Sequence, residues 1–487
     1  MARLISPGPL TEALPMSLAA GEAPLDARER LAARDLRCQE LPAPPGVDPL
    51  DAFAAAPTRS RRFCWIQPER GLAIAGIGAA LQWQPASRRG RFSEAARFVS
   101  EVSRDLQGVA EFGEPGTGPS GPLLCGGFAF DSQPGGEQSR WAGFGAGMLV
   151  LPELLGIAER GELRWLVVAQ ADRLAEASQQ AVRLLQAAAG AVPPPTPLVL
   201  LGPSGGADDG YLATIDAALA KIRAGALGKV VPGRQVTVRL AGSPGDAAAV
   251  ELLRRLAACY PTATSYAVGC GGLTLLGATP ELLVRTADGI AEADALAGSC
   301  PRDEDPARDA ALAGAMLASR KERREHDTVV EHLREGMTGA GVALDPCPPE
   351  PYVRALPGIQ HLCTPVRGDF ATAPGDILEL AGALHPTPAV AGQPVAAALD
   401  FLRRHEPGGR GWFAGPVGWT DLSGNGEFCT AIRSGLLDPE TNEMALFAGS
   451  GVVEESDPTA ELRETVSKLN AVPAVADDAP LGGVREQ

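Results

Sequence analysis

The sequence lacks the features of a disulfide-stabilised, nucleic-acid-binding or membrane-spanning protein. Its nine cysteines are scattered and form no C-x-x-C pair, which argues against a disulfide framework or a thiolate metal site and suits a reducing cytosol. No block of basic residues occurs and the formal net charge is -16, so nucleic acid is not an expected partner. The least polar stretch, near 142–158, is interrupted by glycines and by Pro152 and Glu153, which makes it too broken for a membrane span. The first residues also lack the apolar core of a signal peptide. We therefore expect a cytoplasmic protein.

What is present indicates a globular protein with a large core. Of the 487 residues, 45% are hydrophobic and 21% are charged. Length alone would suggest two or three domains. The Pro- and Gly-rich stretch at 191–209 is the best linker candidate, and we interpret it as a crossover within one fold. The prediction is a single domain over 61–473, preceded by a peripheral, partly disordered segment at 1–60 and followed by a flexible tail at 474–487.

Apolar periodicity predicts an α/β protein. Strands are expected at FCWIQ, LLCGGFAFD, LRWLVVAQ, KVVPGRQVTVRL, SYAVGC, LTLLGA and ELLVRT, and near 414–420, 427–438 and 444–453. Helices are expected at 173–189 and in the YLATIDAALAKIRAGAL segment, at 306–337 after an Asp305 cap, and from Asp457-Pro458 to Asn470.

Two predicted helices each carry a pair of carboxylates. On the helix at 306–337 a stripe with spacings of three and four includes Glu322 and His326, with Glu325 beside them. Glu461 and Glu464 share one side of the later helix. Together the pairs suggest an oxygen-lined site for a hard cation such as Mg²⁺. The alternatives stay open: a surface helix with acids paired to neighbouring basic residues, and a solvated ion pair between Glu464 and Lys468. His326 and His332 are six apart, which does not suggest zinc.

Cations for an anionic substrate are available in the predicted strands. Lys229 and Arg234 lie in KVVPGR, and Arg433 lies in TAIRSG, where it could bind a carboxylate. Lys229 is either a solvated edge residue or a partly buried base. Glu281, after Pro280, is by itself more typical of a solvated residue. The Gly-rich turn AGSGVV at 448–453 could present N–H groups to an anion but matches no nucleotide motif. Without further knowledge, the residues indicate a cytosolic enzyme with a divalent cation and an anionic substrate that they do not name.

A resemblance narrows this prediction. The matching stretches are KVVPGR, GATPELLVR, LAGSCPRDEDPARD, SRKERREH, IQHLCTPVRG, LHPTPAVAGQP, RGWFAGPVGW, NGEFCTAIRSG and LFAGSGVVEESDPTAELRETVSKL. In this order, from 229 to 469, they resemble the chorismate-utilising enzymes. The resemblance implies one large α/β domain, the chorismate-utilising enzyme fold, in which two large, mostly antiparallel β-sheets pack together with helices on the outside.

The resemblance also implies roles for particular residues. Glu325 and Glu464 would bind Mg²⁺ directly, with Glu322 and Glu461 as partners through water. His361 in IQHL resembles the histidine beside the substrate ring. The remaining substrate-binding candidates are Ser299, Ala389, Phe413, Ile432, Arg433, Phe447, Gly449, Ser450 and Gly451.

Lys229 indicates the branch of the family. Members that add ammonia, the anthranilate and aminodeoxychorismate synthases, typically lack this lysine, whereas members that add water have it. The resemblance is closest to the isochorismate synthases, with Lys229 as general base and Glu281 as general acid. Salicylate synthases share both residues but place polar groups around the ring, where this chain has Ala389, Phe413, Ile432 and Phe447. A catalytically silent, ligand-binding relative is the remaining alternative. We expect chorismate as the partner, no obligatory glutamine amidotransferase, and a monomer or weak dimer.

Overall fold

The computed structural model describes residues 35–477, apart from 43, 88, 107–117, 120, 132–139, 191–196, 202–207, 243–244, 347, 349, 372, 374 and 407. Its helices are α1 (Pro49–Ala55), α2 (Arg91–Asp105), α3 (Leu174–Gly190), α4 (Asp208–Arg223), α5 (Ala247–Cys259), α6 (Pro306–Ala318), α7 (Arg320–Gly339), α8 (Asp376–Leu384), α9 (Val395–His405) and α10 (Pro458–Leu469). None of the helices in the described ranges is long and apolar enough to cross a bilayer.

The strands form two large sheets in which every described pair is antiparallel. The strands are β1 (Leu36–Leu41), β2 (Arg62–Gln67), β3 (Leu72–Ile77), β4 (Leu81–Trp83), β5 (Leu123–Phe128), β6 (Gly147–Leu151), β7 (Leu154–Glu159), β8 (Glu162–Gln170), β9 (Leu200–Leu201), β10 (Lys229–Val230), β11 (Gly233–Leu240), β12 (Thr264–Cys270), β13 (Leu273–Thr279), β14 (Leu282–Ala287), β15 (Ile290–Pro301), β16 (Ala343–Leu344), β17 (Tyr352–Leu356), β18 (Ile359–Asp369), β19 (Gly392–Gln393), β20 (Pro416–Asp421), β21 (Gly426–Thr430), β22 (Ser434–Asp438) and β23 (Glu443–Gly449). An 11-stranded sheet runs β1-β8-β7-β3-β2-β12-β13-β22-β23-β11-β9. A 10-stranded sheet runs β16-β18-β15-β14-β21-β20-β5-β6-β4, with β17 beside β18, and β10 pairs with β19 separately.

The core lies between these sheets, and helices cover their outer faces. One cluster of buried side chains joins Trp65 and Leu275 of the first sheet to Cys125 and Val417 of the second. Helices α7 and α8 pack on the second sheet, while α5 packs on the first. The predicted fold class is thus the observed one.

Strands from both sides of the predicted linker meet in both sheets. β2 pairs with β12, and β5 pairs with β20. Of the stretch 191–209 the structure describes 197–201 and 208–209, where β9 pairs with β11 and α4 begins at Asp208. The other residues of that stretch lie outside the described ranges.

Two segments predicted to be loosely attached are packed where the structure describes them. Within 1–60, β1 pairs with β8 and α1 buries Phe53, while residues 1–34 lie outside the described ranges. Within 474–487, Val475 is buried and Asp477 accepts a hydrogen bond from the Leu198 N–H. Residues 478–487 lie outside the described ranges.

Three predicted elements are each divided in the structure. The strand predicted over KVVPGRQVTVRL is β10 and β11, separated at Val231 and Pro232. The helix at 306–337 is two helices, because Ser319 adopts an extended conformation, ends α6 and caps α7 by accepting the Glu322 N–H. The strand at 427–438 is β21 and β22, separated by a turn in which Arg433 has a φ of 52°. Glu322 follows the break at Ser319, and Arg433 lies in the turn between β21 and β22. These two breaks therefore set the positions of predicted site residues.

Candidate active site

A cleft of about 800 Å³ opens beside the two sheets, among β15, β18, β23, α7 and α10. Twelve predicted site residues line it: Glu281, Ser299, Glu325, His361, Ala389, Phe413, Ile432, Arg433, Phe447, Gly449, Gly451 and Glu464. The other four predicted residues are not part of this lining. Lys229 contacts Glu325, Glu322 contacts Ser299, Ser450 lies between Gly449 and Gly451, and Glu461 lies three residues before Glu464 on α10.

Lys229 is a buried lysine beside the cleft, because β10 is covered by β19 and is not an exposed edge. Its side chain is 8% exposed, and Nζ donates a 2.6 Å hydrogen bond to Oε1 of Glu325. A Cβ atom at Gly451 would come within 2.9 Å of the lysine Cε. The glycine at 451 therefore gives the lysine the room that it needs to reach the cleft.

Glu281 is a carboxylic acid suited to donating a proton. It lies between β13 and β14, and the hydroxyl of Thr430 donates a 3.1 Å hydrogen bond to its Oε1. Burial raises the pKa of Glu281 to about 7, although Thr430 and the charges of Lys229, Lys468 and Arg433 oppose the rise. Glu281 can thus hold a proton near neutral pH, as a general acid must.

A β-bulge in β15 organises one side of the cleft. The register between β15 and β18 shifts between Ala297 and Ser299, around Gly298. The bulge directs the Gly298 carbonyl to Nδ1 of His361 at 3.2 Å and the Ser299 N–H to Oε2 of Glu322 at 3.1 Å. One backbone irregularity therefore orients two of the predicted site residues.

The surroundings of His361 favour a neutral imidazole. Burial, followed by the charge of Arg433, lowers its pKa to about 3. Because Nδ1 faces the Gly298 carbonyl, the proton is assigned to Nδ1, and Nε2 accepts a 3.4 Å hydrogen bond from Nη2 of Arg433. Arg433 occupies the left-handed region, a strained conformation for a residue with a Cβ and one that is common at functional sites.

The two glutamate pairs lie near one another across α7 and α10. The pKa of Glu322 is raised by burial and then by the charges of Glu325 and Glu464. Burial also raises the pKa of Glu461, and Glu464 adds to the rise. Repulsion that reaches from one helix to the other indicates that the four carboxylates belong to one electrostatic site.

The chemistry of this donor set fits a hard divalent cation. Ser456 satisfies Oε1 of Glu461 at 2.6 Å, but the buried Oε2 has no hydrogen-bond partner among the described residues. Lysines at 229 and 468 neutralise Glu325 and Glu464, each at 2.6 Å. Within the described residues no three acid, histidine or cysteine side chains are arranged as a complete ligand set. Mg²⁺ does not need one, because it commonly takes one or two carboxylates and completes its shell with water and substrate oxygens.

The opposite wall of the cleft is apolar. Ala389, Phe413, Ile432 and Phe447 all line it. The rings of Phe413 and Phe447 stack with centroids 5.2 Å apart and an interplanar angle of 19°. These side chains offer the substrate ring a flat surface without hydrogen-bonding groups.

The glycine-rich turn contributes its backbone to the cleft. Gly449 and Gly451 line it, and the isolated bridge between Val230 and Val452 holds the turn beside Lys229. The Ser450 side chain faces the other way, where its hydroxyl is 2.8 Å from the Tyr211 hydroxyl.

Comparisons with known proteins agree with this geometry. A family model described as chorismate binding enzyme matches residues 26–475. The chain belongs to the chorismate-binding enzyme family. The resemblance and the fold that it implied are therefore confirmed.

Within this family, the chain is similar to isochorismate synthases. The salicylate biosynthesis isochorismate synthase of Pseudomonas aeruginosa is 37% identical over 441 residues, which cover 88% of this chain and 87% of that protein. The isochorismate synthase MenF of Bacillus subtilis is 31% identical over 432 residues, covering 87% of this chain and 90% of that protein. The solved structure of MenF, the menaquinone-specific isochorismate synthase of Escherichia coli, matches with a TM-score of 0.73 and 26% identity, covering 90% of this chain and 94% of that chain.

Lys468 lines the cleft, but the sequence analysis does not predict it as a site residue. Its spacing from Glu464 favoured a solvated ion pair. The ion pair exists, but it lies in the cleft, and Nζ also donates a 3.0 Å hydrogen bond to the carbonyl of Gly449. Helix periodicity could not predict this role, because it does not show that the turn at 448–453 lies close to Lys468.

Arg410 is a second missed residue, and it holds the backbone around the cleft. Its guanidinium pairs with Glu406 and donates to the carbonyls of Val231 at 2.5 Å and Val390 at 2.8 Å. Glu406 in turn accepts the Gly233 N–H at 2.5 Å. This Arg410–Glu406 clamp fixes the chain at Val231 and Gly233, directly after Lys229.

Proposed function

We propose that this protein is an isochorismate synthase, which converts chorismate to isochorismate by adding water at C2 and removing the C4 hydroxyl. The observation that carries the proposal is the presence of two proton-transfer groups at one cleft. Glu281, whose raised pKa lets it hold a proton, lines the cleft, and Lys229 lies beside it in contact with the lining residue Glu325.

Lys229 acts as the base. It takes a proton from the water whose oxygen forms the new bond to C2. The ring double bonds then shift, and Glu281 gives its proton to the departing C4 oxygen, which leaves as water. One water is consumed and one is released, so atoms and charge balance. Each such proton transfer is typically worth ~10²–10⁴ in rate.

The anionic groups of the substrate need cations, because the whole chain is acidic. Arg433, Lys468 and the backbone of Gly449 and Gly451 surround the space in which a carboxylate would lie. Mg²⁺ held by Glu325 and Glu464, with Glu322 and Glu461 behind them, would bind and neutralise a further carboxylate. This metal assignment is supported by the donor chemistry and by the buried Oε2 of Glu461 that lacks a partner among the described residues.

Water as the nucleophile means that no glutamine amidotransferase is required. The eight cysteines that the structure describes are free thiols, which supports a cytoplasmic location. We propose a monomer or weak dimer that serves a menaquinone or siderophore route. Of its relatives, one is named as menaquinone-specific and one for salicylate biosynthesis.

Product identification tests the proposal. Purified protein is incubated with chorismate and Mg²⁺, and the products are separated by chromatography. We expect isochorismate in equilibrium with chorismate, and loss of turnover after addition of a chelator. Unchanged chorismate in the presence of Mg²⁺ would indicate a ligand-binding relative without this activity.

A further inference from the structure

A second cavity lies behind the apolar wall of the cleft. It measures about 1190 Å³ and is bordered by α4, by the first residues of β11 and by the end of α9. Arg410, Phe413 and Phe447 line both this cavity and the active-site cleft. The same two stacked rings therefore border both spaces, and a ligand in one space can act on the other.

The second cavity contains an arginine that the reaction does not use. The side chain of Arg234 is only 8% exposed. Its Nη1 is 2.8 Å from Oδ1 of Asp208, a side chain that is 56% exposed, but neither Nη1 nor Nε has a hydrogen-bond acceptor in suitable geometry among the described residues. Buried donors without acceptors are costly, and donors on a charged group more so. A ligand anion in the cavity would supply the missing acceptor.

The other lining groups specify the rest of the ligand. The carboxylate of Glu406 is already occupied by Arg410 and by the Gly233 N–H, so it does not compete for Arg234. The ring of Tyr211, with its centroid 5.7 Å from the Arg234 guanidinium carbon, adds a third aromatic surface to those of Phe413 and Phe447. Arg410 also lines the cavity, but it is paired with Glu406. Arg234 among three aromatic rings therefore suits a flat ring that carries a carboxylate.

We propose that this cavity is a regulatory site for a small aromatic carboxylate, with the carboxylate on Arg234 and the ring against Tyr211, Phe413 and Phe447. Two connections lead to the active site. The ligand would touch the rings that form the substrate wall, and it would touch Tyr211, whose hydroxyl contacts Ser450 in the carboxylate-binding turn. The regulatory part of the proposal rests on the proposed function, whereas the binding part does not.

The binding test uses benzoate as the probe and calorimetric titration of the full chain. We expect saturable binding that Arg234→Gln weakens at least tenfold. Arg239→Gln is the matched control, because Arg239 lies on the same strand with a side chain that is 64% exposed, and it should leave benzoate affinity unchanged. Benzamide, without the charge, and cyclohexanecarboxylate, without the aromatic ring, should each bind at least tenfold more weakly than benzoate.

A second variant covers the case in which Arg234→Gln does not fold. Thr214→Trp, on α4, would place a large ring in the cavity while Arg234 is retained, and it should also abolish benzoate binding. Circular dichroism and melting temperature check that each variant is folded. If benzoate fails to saturate the wild-type protein, or binds every variant equally, the proposal is wrong.

Competition separates the second cavity from the cleft. Benzoate should still bind when chorismate and Mg²⁺ are saturating, and its inhibition of turnover should lower kcat. Purely competitive inhibition that Arg234→Gln does not change would place benzoate in the cleft and overturn the proposal. If chorismate is not converted but benzoate binding depends on Arg234, the binding site in the second cavity is supported and the proposed function is wrong.

Discussion

Lys229 and Glu281 are both buried beside one cleft, but they have different hydrogen-bonding partners. Glu281 meets a single neutral donor, so burial dominates and its pKa rises to about 7. Lys229 meets the carboxylate of Glu325 at 2.6 Å, so its burial is compensated by an ion pair. Desolvation therefore keeps a proton on Glu281, whereas Lys229 is held in an ion pair with Glu325.

We expect Lys229→Ala to reduce turnover of chorismate by at least ~10², because the variant lacks the proposed general base. Steady-state assays with chromatographic detection measure this loss. Lys221→Ala, at an exposed lysine of α4, is the control and should keep wild-type turnover. Activity in Lys229→Ala above about a tenth of the wild-type level would remove the lysine from the mechanism.

The raised pKa of Glu281 predicts a pH dependence. A general acid works only while protonated, so kcat/KM should fall as the pH rises through about 7. The buried carboxylate should also destabilise the folded state progressively between its ordinary pKa of 4.5 and about 7, because the folded state binds the proton more tightly there.

Glu281→Gln separates these two effects. The variant should lose ~10²–10⁴ in rate, because it has no proton to donate. Its melting temperature at pH 8 should equal or exceed that of the wild type, because the buried charge is gone. A loss of activity accompanied by a large drop in melting temperature would point to a structural role for Glu281.

At the scale of elements, helix ends and strand irregularities deliver the site residues. The Ser319 cap starts α7 three residues before Glu322, and the bulge at Gly298 brings the Ser299 N–H to the same carboxylate. The helix cap and the β-bulge thus fix the position of Glu322 and Glu325 relative to the sheet.

The two-helix carboxylate site predicts metal behaviour. Glu325→Gln and Glu464→Gln should each weaken Mg²⁺ affinity by removing a negative oxygen, and activity should partly recover at high Mg²⁺. Titration of Mg²⁺ into the proteins, together with the Mg²⁺ dependence of turnover, measures both effects. Glu331→Gln, an exposed residue of α7, is the control. Unchanged metal affinity in both site variants would show that the carboxylates serve only the lysines.

The Arg410–Glu406 clamp predicts a positioning effect. Arg410→Lys keeps the charge but cannot reach the carbonyls of both Val231 and Val390. Losing such buried hydrogen bonds costs ~1–3 kcal/mol of unfolding free energy each. A displacement of about 1 Å near Lys229 can cost ~10²-fold in rate. Denaturant unfolding and kcat check these outcomes, with Arg404→Gln on the exposed side of α9 as control. Wild-type kcat in Arg410→Lys would show that the clamp does not position the lysine.

The sequence predicted the fold class, part of the elements and most of the residues around the cleft, but not the strands β15 and β18 or the contacts between distant segments. Periodicity and caps located α10, and the motifs supplied most of the residues that line the cleft. The break at Ser319 was missed because the apolar stripe continues across it. The roles of Lys468 and Arg410 were missed because both depend on backbone carbonyls, at Gly449 and at Val231 and Val390, that only folding brings near.

At the scale of the whole molecule, charge and polarity are distributed unevenly. The chain carries a net charge of -16, so its average field repels a dicarboxylate substrate. The cleft reverses this locally with Arg433 and Lys468 on one side, and presents aromatic carbon on the other. Chorismate binding should therefore strengthen slightly at high salt. Salt screens the distant repulsion, but it leaves the short and partly buried attractive contacts almost unchanged.

The polarity of the cleft also predicts the product. After Lys229 and Glu281 act, the product either leaves as isochorismate or loses pyruvate to give salicylate, and the second outcome needs the enolpyruvyl group held for hydrogen transfer from C2. Ala389, Phe413, Ile432 and Phe447 offer no hydrogen bonds to hold that pose, and a misplacement of about 1 Å can cost ~10²-fold in rate. We therefore expect isochorismate with little pyruvate. A coupled pyruvate assay measures this, with an added isochorismate pyruvate lyase as the positive control. Stoichiometric pyruvate without that lyase would identify a salicylate synthase and show that an apolar wall is compatible with elimination.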